Sequence, residues 1–194
     1  MNDRLKKQID FMLELDKMKN LYRQTYVLHE NRKENDAEHS WHIAVMAFLF
    51  AEYSNQPIDV THVVKMLLLH DIVEIDAGDT YCYDTEGYKT KADREEKAAR
   101  RIFGLLPEDQ CDEYYKLWRE FEDSVTPESR FAAVLDRLQP LLLNYTKNGI
   151  SWQEHGVHKE QVLNRNIDYF SSSDELSEAI RSVIDDAYAK GWLK

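Results

Sequence analysis

Apolar residues recur along most of the chain at the spacing of an α-helix. The longest stripe, at steps of three and four, comprises Phe131, Val134, Leu135, Leu138, Leu141, Leu142 and Tyr145. Three shorter stripes comprise Leu5, Ile9, Met12 and Leu13; Trp41, Val45, Phe48 and Leu49; and Val63, Met66, Leu67 and His70. This spacing places residues on one face of a helix, and such a face is typical of packing against a core.

The same periodicity, together with helix-start signals, predicts an all-α fold with a single domain over residues 1–194. The start signals are Asp36 and Asp59 as N-caps, Thr126-Pro127, and a capping box in Ser172-x-x-Glu175. We find no alternating strand pattern and read 75–90 as an irregular loop of a length that is often functional. The predicted helices are 3–18, 37–54, 60–74, 91–104, 108–122, 127–147, 158–169 and 173–190.

Composition narrows the possible partners. The net charge of −11 repels nucleic-acid polymers and anionic membranes, so neither is expected as a partner. The longest apolar stretch, 43–51, is too short to span a bilayer, and the charged N-terminus does not resemble a signal peptide. Two cysteines suit a reducing compartment, so we expect a cytoplasmic protein. A small phosphorylated substrate would require a local positive site.

Ionisable residues gather where one apolar run ends, in "MLLLHDIVEIDAGD" (66–79). His70 and Asp71 end the run, while His39 and Asp136 lie beside core positions on two other predicted helices. Two imidazoles and two carboxylates can hold a divalent metal in a helical bundle. The residues alone leave a second interpretation open, in which His and Asp form a hydrogen-bonded core pair.

Three segments together resemble the H…HD…D signature of the HD-domain metal-dependent phosphohydrolases: "EHSWH" (38–42), "LLHDIVEIDAGD" (68–79) and "VLDRLQ" (134–139). The string "HD-x-x-E-x-x-x-GD", with the upstream "Y-R-Q-T", is similar to the 5′-deoxynucleotidase-like branch of that superfamily. The resemblance covers about residues 15–170. It implies a helical bundle with one divalent metal in the core cleft, and homodimers, which relatives commonly form.

The resemblance also implies roles for individual residues. It places the metal ligands at His39, His70, Asp71 and Asp136. It places catalytic or substrate-contacting acids at Glu74 and Asp79, and a phosphate- or sugar-contacting arginine at Arg23. Glu74 lies at i+4 and i+3 from His70 and Asp71, and Asp79 follows the flexible Gly78. Which acid takes a proton from water and which protonates the leaving oxygen stays open.

The metal count follows from an absence in the sequence. Dinuclear members of the superfamily resemble H…HD…H…H…D, whereas no histidine lies between Asp71 and Asp136 here. We therefore expect one divalent ion. Mixed nitrogen and oxygen ligands suit Mn, Co, Fe, Ni or Zn.

Two further residues leave alternatives open. His42 is at i+3 from His39 and is either a fifth ligand or, in preference, a packing or hydrogen-bonding neighbour of the site. Pro140, four residues after Asp136, either bends the predicted 127–147 helix or marks its end near residue 139.

The function implied by the resemblance is phosphate release from (deoxy)nucleoside 5′-monophosphates. A second hypothesis is an HD hydrolase for another phosphorylated metabolite or a polyphosphorylated nucleotide. The third is a regulatory or scaffold domain that binds metal without turnover. The presence of Glu74 and Asp79 beside the expected ligands disfavours the third, because a structural metal site needs neither.

Overall fold

A computed structural model describes the backbone of residues 1–194 and the side chains of residues 1–84, 86–87 and 89–194. The all-α prediction is confirmed, apart from two short strands. The helices are α1 (Asp3–Glu14), α2 (Asp36–Phe50), α3 (Val60–Leu69), α4 (Glu74–Ala77), α5 (Thr85–Phe103), α6 (Glu108–Asp123), α7 (Pro127–Thr146), α8 (Ile150–His155), α9 (Lys159–Ile167) and α10 (Asp174–Ala189). Short 3₁₀ segments lie at Leu15–Asn20, Ala51–Tyr53 and Phe170–Ser172.

Helix α7 is the central element, as its long apolar stripe predicts. Thr126 caps its N-terminus by accepting from the backbone N–H of Ser129, and Pro127 occupies the first helical turn. The helix continues through Pro140 to Thr146, so the alternative that it ends near residue 139 is wrong. Most of the stripe is fully buried, and α7 packs against α2, α3, α6 and α10. Side chains on α7 therefore reach the centre of the molecule.

The stripes on α1 and α2 are not core faces, contrary to the helical-face expectation. Trp41, Phe48 and Leu49 are 65%, 66% and 62% exposed, and the α1 stripe is also largely exposed. Helix α2 instead buries Ile43 and its neighbours on the opposite face. Because α2 is apolar on both faces, periodicity alone could not select the buried one.

Two short strands form although the sequence shows no alternating strand pattern. Strand β1 (Tyr22–Tyr26) pairs antiparallel with strand β2 (Lys33–Asn35), and β2 leads directly into α2. Asn35, rather than Asp36, caps α2, in a capping box with Glu38. β1 is short and largely polar, so it lacks the alternation from which a strand is usually recognised.

The segment from 70 to 90 is more ordered than a plain loop. After α3 the chain makes a turn and then the single-turn helix α4, and α5 begins at residue 85 rather than 91. Gly78 ends α4 at φ +75°; a Cβ there would contact nothing within 4 Å, so the dihedral angle and not space favours glycine. The Arg94 guanidinium on α5 donates to the Ala77 carbonyl and the Thr80 hydroxyl and so holds the segment after Gly78.

The described residues form two clusters of buried apolar side chains. One surrounds α7, α10 and parts of α2 and α3, while the other joins α3 to α5 and α6. Phe121 packs against both clusters. Among the described residues, no helix is both long and apolar enough to cross a bilayer.

Candidate metal centre and adjoining cavity

The structure brings the four expected ligands together from three helical segments. The His39 Nε2 atom, on the first turn of α2, lies 3.1 Å from Asp136 Oδ1 and 4.0 Å from Asp71 Oδ2. His70 Nε2, directly after α3, lies 3.1 Å from Asp71 Oδ2 and 3.7 Å from Asp136 Oδ1. All four residues are buried. Two nitrogens and two carboxylate oxygens therefore face one point.

The orientation of both imidazoles fits a cation at that point. His70 Nδ1–H donates to the Leu67 carbonyl over 2.8 Å, so the lone pair is on Nε2 in the neutral ring. The Nε2 atom itself is buried and has no hydrogen-bond partner. A buried lone pair beside two carboxylates is unfavourable without a ligand, and a divalent metal would satisfy it.

A hydrogen-bond chain that sequence reasoning missed orients His39. Gln139 Nε2 donates to Glu34 Oε1 at 2.6 Å, and because the amide has one NH₂ group and one oxygen, the oxygen faces His39. His39 Nδ1–H then donates to Gln139 Oε1 at 3.0 Å, which leaves the Nε2 lone pair free. The amide also donates to His42 Nδ1, which makes His42 a neighbour of the site rather than a fifth ligand. Gln139 ends the segment "VLDRLQ", but the sequence does not signal its hydrogen bonds to His39 and Glu34.

Replacement of Gln139 by Leu should therefore lower metal affinity by about 10- to 100-fold, as for other hydrogen-bond partners of ligand histidines. The reason is that His39 would lose the acceptor that sets its tautomer. Isothermal titration with Mn²⁺ or Co²⁺ measures the change. The Gln153→Leu variant is the control, because Gln153 is exposed and its side-chain amide donates to the Asn148 carbonyl rather than to a ligand histidine. Unchanged affinity of the Gln139 variant would contradict the orienting role.

A second acidic group adjoins the first and contains the expected arginine. Arg23, on β1, donates to Asp71 Oδ2 at 2.7 Å and lies 3.5 Å from Asp36 Oδ1. Asp36 is fully buried, and burial, followed by the Asp71 carboxylate, raises its pKa to about 7. Sequence reasoning treated Asp36 only as a cap. Its closeness to Arg23 depends on β1, which local patterning did not reveal.

The two expected catalytic acids lie beside this group. Glu74 begins α4, is buried, and has a carboxylate oxygen without a hydrogen-bond partner. Burial and then the Asp71 carboxylate raise its pKa well above the ordinary value. Asp79 follows Gly78, is partly exposed, and has a pKa raised chiefly by burial. Both carboxyl groups line the same cavity as Asp71 and Asp136.

The carboxylates and imidazoles of the expected ligands shift one another's pKa. Burial raises the pKa of Asp136, but the neighbouring His39 and His70 imidazoles together outweigh burial, and the pKa is held well below the ordinary value. Burial lowers the pKa of His70, yet the Asp71 and Asp136 carboxylates raise it to about 10. Without metal, a proton on His70 thus offsets the ionised carboxylates. A divalent cation would supply that positive charge in its place.

The acids open into a cavity of about 260 Å³. Its acidic end is formed by Arg23, His70, Asp71, Glu74, Asp79 and Asp136. The cavity is also lined by the uncharged residues Thr25, Tyr81, Asn144, Ser151 and Trp152, which we call its neutral end, and by the charged Arg165. The volume is slightly below the range of roughly 300–1,000 Å³ that is usual for small-molecule sites, so the ligand should be small.

The chain matches a family model and several curated proteins. A family model described as "HD domain" matches residues 15–177. The curated relatives include human 5′-deoxynucleotidase HDDC2, 33% identical over 111 residues, which are 57% of this chain and 53% of that protein. The bovine protein of the same name is 30% identical over 135 residues, or 69% of this chain and 64% of that protein. The chain therefore spans 53% of the length of the human relative and 64% of the length of the bovine one.

Solved structures match nearly the whole chain. A protein from Magnetospirillum magnetotacticum, described as a predicted metal-dependent phosphohydrolase, superposes with a TM-score of 0.93 at 48% identity over 99% of both chains. An HD-domain phosphohydrolase from Listeria innocua superposes with a TM-score of 0.62 at 17% identity, over 94% of this chain and 98% of that one. The second match supports the fold alone.

Proposed function

This chain belongs to the HD domain family, and from that premise we propose that it is a metal-dependent phosphohydrolase acting on deoxynucleoside 5′-monophosphates. The observation that carries the proposal is the convergence of His39, His70, Asp71 and Asp136 beside a small cavity lined by Glu74 and Asp79. The names of the human and bovine relatives support the substrate class.

In this proposal the two imidazole Nε2 atoms and the carboxylates of Asp71 and Asp136 hold one divalent ion. Bound there, the ion supplies a Lewis acid for the phosphoryl group and acidifies water. Arg23 supports a count of one, because its guanidinium already lies between Asp71 and Asp36, in the second acidic group. A second cation in that group would be repelled by the arginine charge.

The chain's own residues supply the proton transfers. Glu74 and Asp79 both face the cavity, so one can take the proton of the attacking water and the other can donate to the leaving 5′-oxygen. Arg23 offsets negative charge next to Asp71 and provides a cation for the phosphate. Burial of most of the acidic end strengthens these electrostatic interactions relative to water.

The alternative substrate classes are separable by experiment. We expect purified protein with Mn²⁺ or Co²⁺ to release phosphate from deoxynucleoside 5′-monophosphates, and to do so less efficiently from nucleoside triphosphates, because the cavity is small. A screen of mono- and polyphosphorylated nucleotides and of a generic phosphate ester, each across several divalent ions, measures this. Hydrolysis of the generic ester without any nucleotide would favour another phosphorylated metabolite. Metal binding without any turnover would favour a regulatory or scaffold domain.

A homodimer remains part of the proposal, and α2 offers the surface for it. Trp41, Val45, Phe48 and Leu49 form an exposed apolar face, and residues 39–51 include no Asp, Glu, Lys or Arg. On a chain of net charge −11, a second copy meets least repulsion at an uncharged face. Light scattering should show a dimer for the wild type and a monomer for Phe48→Glu. A monomeric wild type would contradict the proposal.

A further inference from the structure

The neutral end of the cavity contains two polar atoms that the fold leaves without partners. Asn144, on α7, is buried, and its Oδ1 atom has no hydrogen-bond partner. The hydroxyl of Tyr81, in the segment between Gly78 and α5, is likewise buried and unpartnered. Both residues line the same cavity as Asp136. Buried polar atoms are nearly always hydrogen-bonded, so such a pair at a cavity wall indicates a ligand.

The chemistry of the two atoms defines what the ligand must offer. Asn144 Nδ2 donates to the Pro140 carbonyl at 3.0 Å. Because that bond needs the NH₂ group, the atom left without a partner is the carbonyl oxygen, which can only accept. The Tyr81 hydroxyl can donate or accept. The matching ligand edge therefore carries an N–H donor together with an acceptor.

The aromatic residues around these atoms suit a flat heterocycle. Trp152, on α8, lines the cavity together with Asn144, and at the α7–α8 junction the Gly149 N–H donates to the Asn144 backbone carbonyl. The ring of Tyr81 lies 4.5 Å from that of His155 on α8. Aromatic side chains beside hydrogen-bonding groups are the usual means of binding an unpaired base.

The distance between the two ends matches one small substrate. Asp136 at the acidic end and Asn144 at the neutral end are eight residues apart on α7, which is about 12 Å along the helix axis. A ligand with a phosphate at one end and a heterocycle with N–H and acceptor groups at the other fits that separation. A free phosphate or a simple sugar phosphate would leave the neutral end unsatisfied.

From this we infer that the neutral end receives the base of a nucleoside monophosphate, with Asn144 Oδ1 accepting an N–H of the base and the Tyr81 hydroxyl bonding its neighbouring acceptor. The inference rests on the proposed function and adds to it how the site recognises a nucleotide. It makes Asn144 and Tyr81 determinants of substrate specificity rather than of phosphate release.

The test compares substrates with and without a base. For the metal-loaded protein, kcat/KM is measured for deoxyadenosine and deoxycytidine 5′-monophosphates and for 2-deoxyribose 5-phosphate. Tyr81→Phe removes one hydroxyl, and Asn144→Leu removes the amide. Each should lower kcat/KM for the nucleotides about 10- to 100-fold, the usual effect of an unpaired buried polar group, and change it less than about twofold for the sugar phosphate.

A matched control separates recognition from folding. Ser177, buried on α10 and not among the residues that line the cavity, makes the same kind of side-chain bond four residues back, to the Ser173 carbonyl. Ser177→Ala should change kcat/KM for all three substrates by one common factor. Equal losses on nucleotide and sugar phosphate in both the Tyr81 and Asn144 variants would overturn the inference. So would a wild type that hydrolyses the sugar phosphate as well as the nucleotides.

Binding of nucleosides, which carry no phosphate, tests the base site separately from phosphate release. Calorimetry with deoxyadenosine and deoxycytidine, which carry no phosphate, should show affinity weakened about tenfold or more in Tyr81→Phe. Nucleoside binding that depends on Tyr81, in a protein without phosphatase activity, would reject the proposed function and keep the base site. Phosphatase activity on nucleotides, with nucleoside binding independent of Tyr81 and Asn144, would reject the base site alone.

Discussion

Asp136→Asn should lower affinity for divalent metal by more than about 100-fold and reduce phosphate release to background. The variant replaces a carboxylate by an amide 3.1 Å from His39 Nε2 and 3.7 Å from His70 Nε2, where a cation would be shared. The effect should exceed that of altering an outer hydrogen-bond partner, since the ligand itself is lost. Metal content after dialysis and calorimetric titration measure the affinity.

Thermal unfolding gives a second measure that does not depend on activity. In the wild type, metal at about 100 times its Kd should add about 2.7 kcal/mol of stability and raise Tm by about 5–10 °C. The Tm of Asp136→Asn should not respond to metal. Asp123→Asn is the control, because Asp123 is an exposed residue of α6 paired with Arg119. A normal metal response in the Asp136 variant would exclude this residue as a ligand.

Glu74→Gln should lower kcat by about 10²- to 10⁴-fold while the protein retains its metal. Glu74 is buried at the cavity wall three residues after Asp71 and has a carboxylate oxygen without a partner, so it is placed to exchange a proton. The glutamine has nearly the same shape but cannot transfer a proton. Steady-state kinetics, together with metal content on the same preparation, separates a loss of proton transfer from a loss of the ion.

The exposed Glu113, paired with Lys65 on the surface, provides the matched control through Glu113→Gln. That variant should keep both metal content and kcat. If Glu74→Gln turned over at the wild-type rate, Glu74 would not take part in proton transfer. If it lost the ion as well, the residue would act chiefly by holding the metal site together.

The sequence by itself determined the features that depend on local spacing. The three- and four-residue periodicity of 127–147 predicts α7, and Thr126-Pro127 predicts its start, because capping and amphipathic packing involve residues that are close in the chain. The segments containing His39, His70-Asp71 and Asp136 also predict that these residues meet. This prediction rests on the helical positions of these residues beside the core and on the family resemblance, which includes the order of the motifs along the chain.

Only the tertiary structure decided which faces and which distant partners these helices use. Helix α2 is apolar all round, so its buried face was set by its packing on α3 and α7 rather than by its own pattern. The hydrogen bond between His39 and Gln139 joins residues 100 positions apart, and Arg23 reaches Asp71 across 48. Such pairs cost loop-closure entropy and form only when the whole fold aligns them, and no local pattern encodes that alignment. The unpartnered atoms of Asn144 and Tyr81 are also decided by the tertiary structure, because the complete fold determines which side chains come within hydrogen-bond distance of them.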